Sequence, residues 1–126
     1  MDMKLALDFI CEDDRGRLIQ LAHEGYAQIN VLISNKGVRR GGHYHKISKE
    51  SFFVISGSVE VTTNDQDGKN VQTCLFSEND FFRIEPNLVH SMFFPQDCVM
   101  VGMYDVCIEK GNGEKDIYPY PGKTGS

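Results

Sequence analysis

Short apolar segments with a two-residue alternation follow one another along nearly the whole chain. This constrains the fold more than any other feature of the sequence. Candidate strands cover residues 4–10, 16–22, 28–34, 40–46, 51–56, 58–63, 71–76, 80–84, 89–94 and 98–105. Most carry β-branched or aromatic residues, and turn-forming residues punctuate them. In residues 58–63, Val59, Val61 and Thr63 alternate with Ser58, Glu60 and Thr62, as in a strand with one buried face. The run Asn64-Asp65-Gln66-Asp67-Gly68 reads as a hairpin loop, because Asp-Gly tolerates the positive φ such turns require. No stretch of ten or more residues carries a 3.6-residue period, so helix is expected to be minor. Strands at this spacing predict an all-β sandwich or barrel. Its edges must be closed or covered, and residues 4–10 form an apolar edge that a homodimer would hide.

At 126 residues the chain suits one domain. We place that domain at residues 1–110. Residues 111–126, with four Gly and two Pro, are expected to form an irregular C-terminal tail. Its end, residues 122–126, is expected to be mobile. The absence of an apolar run of about 18 residues argues against a membrane span. The opening carries the acidic run Glu12-Asp13-Asp14 and lacks the basic start of a secretory leader, so cytoplasm is the expected location. Thirteen Lys and Arg against eighteen Asp and Glu give a net charge of −5, which argues against nucleic acid as a partner. An anionic substrate must then be met by local basic groups. The four cysteines, Cys11, Cys74, Cys98 and Cys107, are widely spaced with no C-x-x-C pair, which argues against a disulfide framework and a structural zinc site.

Three of the four histidines fall in two strand segments. On a strand, His43 and His45 at i and i+2 share a face, so two imidazoles can converge on one point. Glu50 opens the next strand and can supply an oxygen beside them. His90 lies much later in the chain and is expected to close the set from across the barrel. Three imidazoles and a carboxylate suit a first-row divalent metal (Zn, Mn, Fe or Ni) with open coordination positions. No organic cofactor is expected. Arg39 and Arg40 are the best candidates to hold a pyrophosphate, because a guanidinium matches phosphate oxygens in a fork. Strict alternation turns Arg39 to the histidine face and Arg40 outward. A bulge at Gly41-Gly42 would bring Arg40 in. Tyr44, by parity, faces away from the cavity and packs elsewhere.

The spacing G-(x)5-H-x-H-(x)4-E-(x)6-G, filled by Gly37, His43, His45, Glu50 and Gly57, resembles the first signature of the cupin superfamily. Pro86 and His90 match its second signature, whose first Gly is Asp80 here and whose final Asn is Phe94. The resemblance implies a single-domain cupin jelly-roll barrel.

Within cupins, the flanks resemble the nucleotide-sugar 3,4-ketoisomerases over residues 14–105. The segments that carry it are 14–18, 36–46, Gly57-Ser58, 84–90, 97–101 and Tyr104-Asp105. This resemblance implies isomerisation of a dTDP-linked 4-keto-6-deoxysugar through an enediol, in surface-polysaccharide synthesis. It also implies a strand-exchanged dimer, His43 and His45 as the acid/base pair, and Arg40 as the phosphate contact. Those isomerases tend to carry Gln at the position of Glu50 and Trp at that of Val89, and to need no metal. The His-Tyr-His core with Glu50 resembles instead the metal-binding C-terminal cupin of capsular-polysaccharide assembling enzymes. The leading expectation is thus a nucleotide-sugar isomerase or epimerase. The alternatives are a metal-binding cupin of lyase or dioxygenase type and a sugar-binding module without turnover.

Overall fold

The protein is described from a computed structural model, in which residues 3–109 and 113–120 are described. Among these residues there are eleven strands and no helix. They are β1 (Phe9–Asp13), β2 (Gly16–Gln20), β3 (Gln28–Ser34), β4 (Arg39–Tyr44), β5 (Glu50–Ser56), β6 (Ser58–Asn64), β7 (Gln72–Ser77), β8 (Phe81–Ile84), β9 (Val89–Phe93), β10 (Cys98–Tyr104) and β11 (Tyr118–Pro119). One sheet runs β3-β10-β5-β8 and the other β11-β4-β9-β6-β7, while β1 and β2 form a separate hairpin. All named pairs are antiparallel. From β3 to β6 the chain changes sheet at every step, which gives the double-sheet jelly roll expected from the sequence.

The alternation read from the sequence explains the core. Phe52, Val54, Phe82 and Met100 from the first sheet meet Val59, Val61, Phe76 and Met92 from the second. The rings of Phe76 and Phe82 stack at 4.2 Å across the gap. Truncating one such buried ring to Ala costs about 3–5 kcal/mol. A smaller cluster of Phe53, Phe81 and Met103 lies on the outer face of the first sheet, covered by Leu5, Leu7, Ile19 and Leu21. At the β5–β6 corner Gly57 has φ +83°, and a Cβ there would sit 2.0 Å from the Asp97 carbonyl oxygen. That close approach requires glycine at the last position of the first cupin signature. All four cysteines are free.

Two segments differ from the expectation. The first strand is Phe9–Asp13 rather than residues 4–10. Met3 and Leu5 instead hydrogen-bond along β8, through Arg83 N–H to the Met3 carbonyl and Leu5 N–H to the Phe81 carbonyl. Turn chemistry decides the shift: the Asp13 carboxylate accepts the Arg15 N–H at 2.9 Å, and Gly16 at φ +126° turns the chain into β2. In the C-terminal segment, Tyr118 and Pro119 pair with Tyr44 and His43 at the edge of the second sheet, and Asp116 is fully buried. The described residues 113–120 are therefore docked, because backbone pairing and a buried carboxylate fasten them. The expected mobility of residues 122–126 lies outside the described residues.

Candidate active site

At one end of the barrel the interior turns from apolar to polar. His43 ends near the close of β4, His45 follows it, His90 sits on β9 and Glu50 opens β5. Their ligand atoms all lie within 4.8 Å of one another. His45, Glu50 and His90 are 4%, 4% and 2% exposed, so the cluster is withdrawn from bulk water. The four residues expected from the sequence do meet, but not by the expected approach. His90 pairs directly with His43 on the neighbouring strand of the same sheet, and Glu50 is the group that reaches across from the other sheet. The reason is that β4 and β5 belong to opposite sheets although they are consecutive.

The β4 strand carries a bulge. Gly41 pairs with Ser91, and the register shifts before His43 pairs with His90. Gly41 has φ +98°, and a Cβ there would lie 2.7 Å from the His90 carbonyl oxygen. The extra residue resets the alternation. Arg40, paired with buried Met92, and His43, paired with His90, therefore share the inner face although they are three residues apart. Arg40 is held by Ser34, its Nε donating to Oγ at 2.8 Å, and by the Ile33 carbonyl at 3.3 Å. Arg39 pairs with Phe93, and its guanidinium lies over that ring at 4.7 Å. Strict alternation predicts the two arginines the other way round, and the bulge corrects it. Both border a cavity of about 430 Å³ with His43, Glu50, His90 and Tyr104.

Hydrogen bonds orient the imidazoles. His45 Nδ1 lies 2.5 Å from the main-chain carbonyl oxygen of Asp116. A carbonyl can only accept, so Nδ1 carries the proton and Nε2 faces the cluster. His90 Nδ1 donates in the same way to the Leu88 carbonyl at 3.4 Å. Glu50 Oε1 then lies 2.5 Å from His45 Nε2 and 3.2 Å from His90 Nε2. The His43 ring packs edge-on against those of His45 and His90, with centroids at 5.2 and 4.6 Å.

This packing splits the two histidines of the signature electrostatically. Burial, followed by the neighbouring His90 and His45, pushes His43 down to about 4. Burial also works against charge on His45, but its contact with the Glu50 carboxylate, helped by Asp116, outweighs burial and raises it above the ordinary imidazole value. Glu50 is itself opposed by burial, yet His90 and His45 hold its carboxyl well below the usual range. Tyr104, from β10, completes the wall. Its hydroxyl interacts with Asn30 and Glu50, and burial, then the Glu50 charge, pushes it upward.

The donor set also fits a divalent metal. His45 Nε2 and Glu50 Oε1 are fully buried and approach closely, yet neither has a hydrogen-bond partner in good alignment. Two such atoms, with His43 and His90 beside them, form the mixed nitrogen and oxygen cradle that first-row metals take.

An all-β double-sheet barrel with a histidine and glutamate cluster at one end defines a cupin-type jelly roll. The profile of the family described as Polysaccharide biosynthesis C-terminal domain matches residues 11–103, and the chain belongs to that family. Solved structures share the fold. The WlaRB TDP-quinovose 3,4-ketoisomerase from Campylobacter jejuni superposes with a TM-score of 0.72 at 19% identity, covering 86% of this chain and 87% of that one. The capsular polysaccharide assembling protein CapF from Staphylococcus aureus gives 0.66 at 22% identity, covering 91% of this chain. The dTDP-4-dehydrorhamnose 3,5-epimerase from Sulfolobus tokodaii gives 0.66 at 19% identity, covering 75% of this chain. The chain spans 32% of the length of the CapF protein and 65% of that of the epimerase. No curated protein sequence matches it.

Proposed function

We propose that this chain is a nucleotide-sugar isomerase or epimerase acting on a dTDP-linked 4-keto-6-deoxysugar for surface-polysaccharide synthesis. The observation that carries the reading is the gathering of His43, His45, Glu50 and His90 within 4.8 Å of one another, beside a cavity that Arg40 also borders. His43, held down to about 4, is neutral at pH 7 and offers a lone pair. Burial opposes charge on His45, but its contact with the Glu50 carboxylate raises it above the ordinary imidazole value, opposite in direction to His43. Titratable neighbours pushed apart in this way are how one site supplies both a base and an acid.

In this reading His43 removes the proton at the carbon beside the sugar ketone. His45, with Glu50 behind it, protonates the C4 oxygen to give the enediol; His43 then returns its proton to C4 while the C3 hydroxyl gives its proton back to His45, which leaves the carbonyl at C3. Arg40 holds the diphosphate, because Ser34 and the Ile33 carbonyl already fix its guanidinium beside the cavity. Arg39 lies over Phe93 at the rim and is the secondary contact.

The close but poorly aligned approach of buried His45 Nε2 and Glu50 Oε1 supports a second reading, in which His43, His45, Glu50 and His90 hold a divalent metal. Such an ion, when bound, would polarise the substrate carbonyl oxygen. An imidazole nitrogen that holds metal is not also the free base, so elemental analysis of the purified protein separates the two readings.

Ile29, Val31 and Ile33 on edge strand β3 are 63–70% exposed, and Phe9, Ile10 and Leu18 of the β1–β2 hairpin are about half exposed. These two apolar surfaces support a homodimer. The net charge of −5 speaks against nucleic acid as a partner. No helix among the described residues is long and apolar enough to cross a membrane. We place the enzyme in the cytoplasm, where nucleotide sugars are made.

The test is incubation of a dTDP-4-keto-6-deoxyhexose with the protein in heavy water. Deuterium at C3 or C4 is the expected result. Binding of the nucleotide sugar without any exchange, with or without added metal, would replace the isomerase by a binding module.

A further inference from the structure

The residue that orients His45 comes from the far end of the chain. Asp116 is fully buried, and its carboxylate is turned to main-chain donors. It accepts three successive backbone N–H groups: Lys46 on Oδ1 at 2.9 Å, Ile47 on Oδ2 at 3.1 Å and Ser48 on Oδ2 at 2.9 Å. These N–H groups belong to the turn between β4 and β5, the segment that links His45 to Glu50. The main-chain carbonyl of the same residue accepts a hydrogen bond from His45 Nδ1–H at 2.5 Å. Asp116 is thus fastened by its side chain to the residues immediately after His45, and through its backbone to His45 itself.

Three further contacts hold the segment in place. Tyr118 pairs with Tyr44, its ring stacks on that of Tyr44 at 5.5 Å, and Lys46 Nζ sits 4.3 Å over the same ring. Ile117 and Lys115 border a second cavity of about 300 Å³ that reaches His43, His45, Glu50 and Tyr104 from the end of the barrel.

We infer that Asp116 is a positioning residue for His45: it locks the turn from Lys46 to Ser48 and keeps His45 Nε2, rather than Nδ1, directed at Glu50 and the cavity. An ionised carboxylate suits this work, because a cluster of N–H donors is best met by charge. Without it the Nδ1–H loses its fixed acceptor and the ring can rotate or exchange tautomer. The identity of the acting nitrogen, and the Nε2 contact to Glu50, would then no longer be set. A partner that orients an imidazole through its second nitrogen is worth about 10–100-fold in activity or metal affinity.

The primary test does not depend on the proposed reaction. In metal-free wild-type protein, proton–nitrogen NMR of the histidine side chains should show a proton on His45 Nδ1 that exchanges slowly with water. A bare Nδ1 in the wild type overturns the inference. In Asp116→Ala that slow proton should disappear, while exposed His23 keeps its spectrum. Asp116→Asn, which retains one acceptor oxygen for the turn, should fall between the two. An unaltered His45 spectrum in either folded variant also overturns it. If Asp116→Ala does not fold, the wild-type spectrum and Asp116→Asn still decide.

The kinetic arm rests on the isomerase reading. There kcat should fall about 10–100-fold in Asp116→Ala with KM nearly unchanged, because Arg40 and its partners are untouched. A KM rise with constant kcat would overturn the positioning role. Wild-type protein without turnover would sink the isomerase reading, while the NMR result would still decide the role of Asp116.

Discussion

Arg40 and His43 stand three residues apart on β4, yet both face the barrel interior, because the bulge after Gly41 inserts one residue between their partners Met92 and His90. On an unbroken strand a separation of three puts side chains on opposite faces. The bulge therefore places a fixed guanidinium and the histidine cluster in one cavity, a charge for a phosphate beside groups able to move a proton.

Replacing Gly41 by Ala tests that arrangement. The added Cβ would meet the His90 carbonyl at 2.7 Å, and φ +98° is strained for any L side chain. A loss of about 1–3 kcal/mol in urea unfolding is expected from the backbone strain alone. Loss of nucleotide binding should accompany it. Unchanged stability and binding would mean that the strand tolerates the substitution and that the bulge does not matter.

The arginines should separate in binding experiments. Arg40→Ala removes charge-assisted hydrogen bonds worth about 1.5–3 kcal/mol, so the Kd for dTDP should rise about 10–100-fold by calorimetry. Arg40→Lys should recover little, since an ammonium cannot reproduce the forked contact. Arg39→Ala should have the smaller effect. The reverse ranking would assign the phosphate to Arg39.

The histidines predict a maximum in stability. His43 has a folded value of about 4, below the unfolded imidazole near 6.5, so the unfolded chain binds more protons between these values. Its contribution is present above about 6.5 and is lost as the pH falls toward 4. His45 is raised, so its contribution is present below about 6.5 and is lost as the pH rises through its folded value. The melting temperature of metal-free protein should therefore peak near pH 6.5. His43→Asn should flatten the acid side, and His45→Asn the alkaline side. A flat profile from pH 4 to 8 in the wild type would contradict both assignments.

Metal addition has a readout of its own. If the cluster holds zinc or manganese, a free concentration 100 times the Kd adds about 2.7 kcal/mol to stability and raises the melting temperature. Glu50→Gln and His90→Asn should each abolish most of that gain. An equal gain in these variants would point to adventitious binding elsewhere.

Val31→Asp addresses assembly. It puts a charge in the exposed stripe Ile29, Val31 and Ile33 on an edge strand, far from the cluster in sequence and on the opposite face from Leu32, which borders the cavity. Sedimentation should show the change from two chains to one. A wild-type protein that sediments as a single chain at micromolar concentration would remove the dimer.

The strands were legible because their alternation and turn residues operate within a few positions. Nine of the expected segments recur as β2 to β10 within a few residues at each end. The failure at residues 4–10 is instructive: Leu5 and Leu7 are apolar because they cover Phe53 and Phe81, not because they belong to a long ladder. Burial and strand pairing leave the same mark on a short apolar run. His43, His45, Glu50 and His90 could be gathered by parity and spacing. Parity alone turns Arg40 outward; the bulge that brings it in was legible as the pair Gly41-Gly42, and the family resemblance pointed to the same arginine. Tyr104, on β10, entered only through the resemblance of the Tyr104-Asp105 segment and with no role attached, and nothing local distinguishes Asn30 from other residues of β3. Asp116 was invisible for a deeper reason: its contact to His45 is made by a backbone carbonyl, which every residue possesses.

That contact joins residues 71 positions apart, and it has a temporal consequence. Chains are made from the N-terminus, so His45, Glu50 and His90 have all been synthesised before the residue that orients His45 exists. Such long-range closures form late, since loop entropy must be met before they return anything. A protease that clips between Tyr104 and Asp116 would leave every residue of the apolar core in place and remove the group that orients His45. Folding and competence are thus separate milestones in the life of this chain, and the second waits on the segment around Asp116.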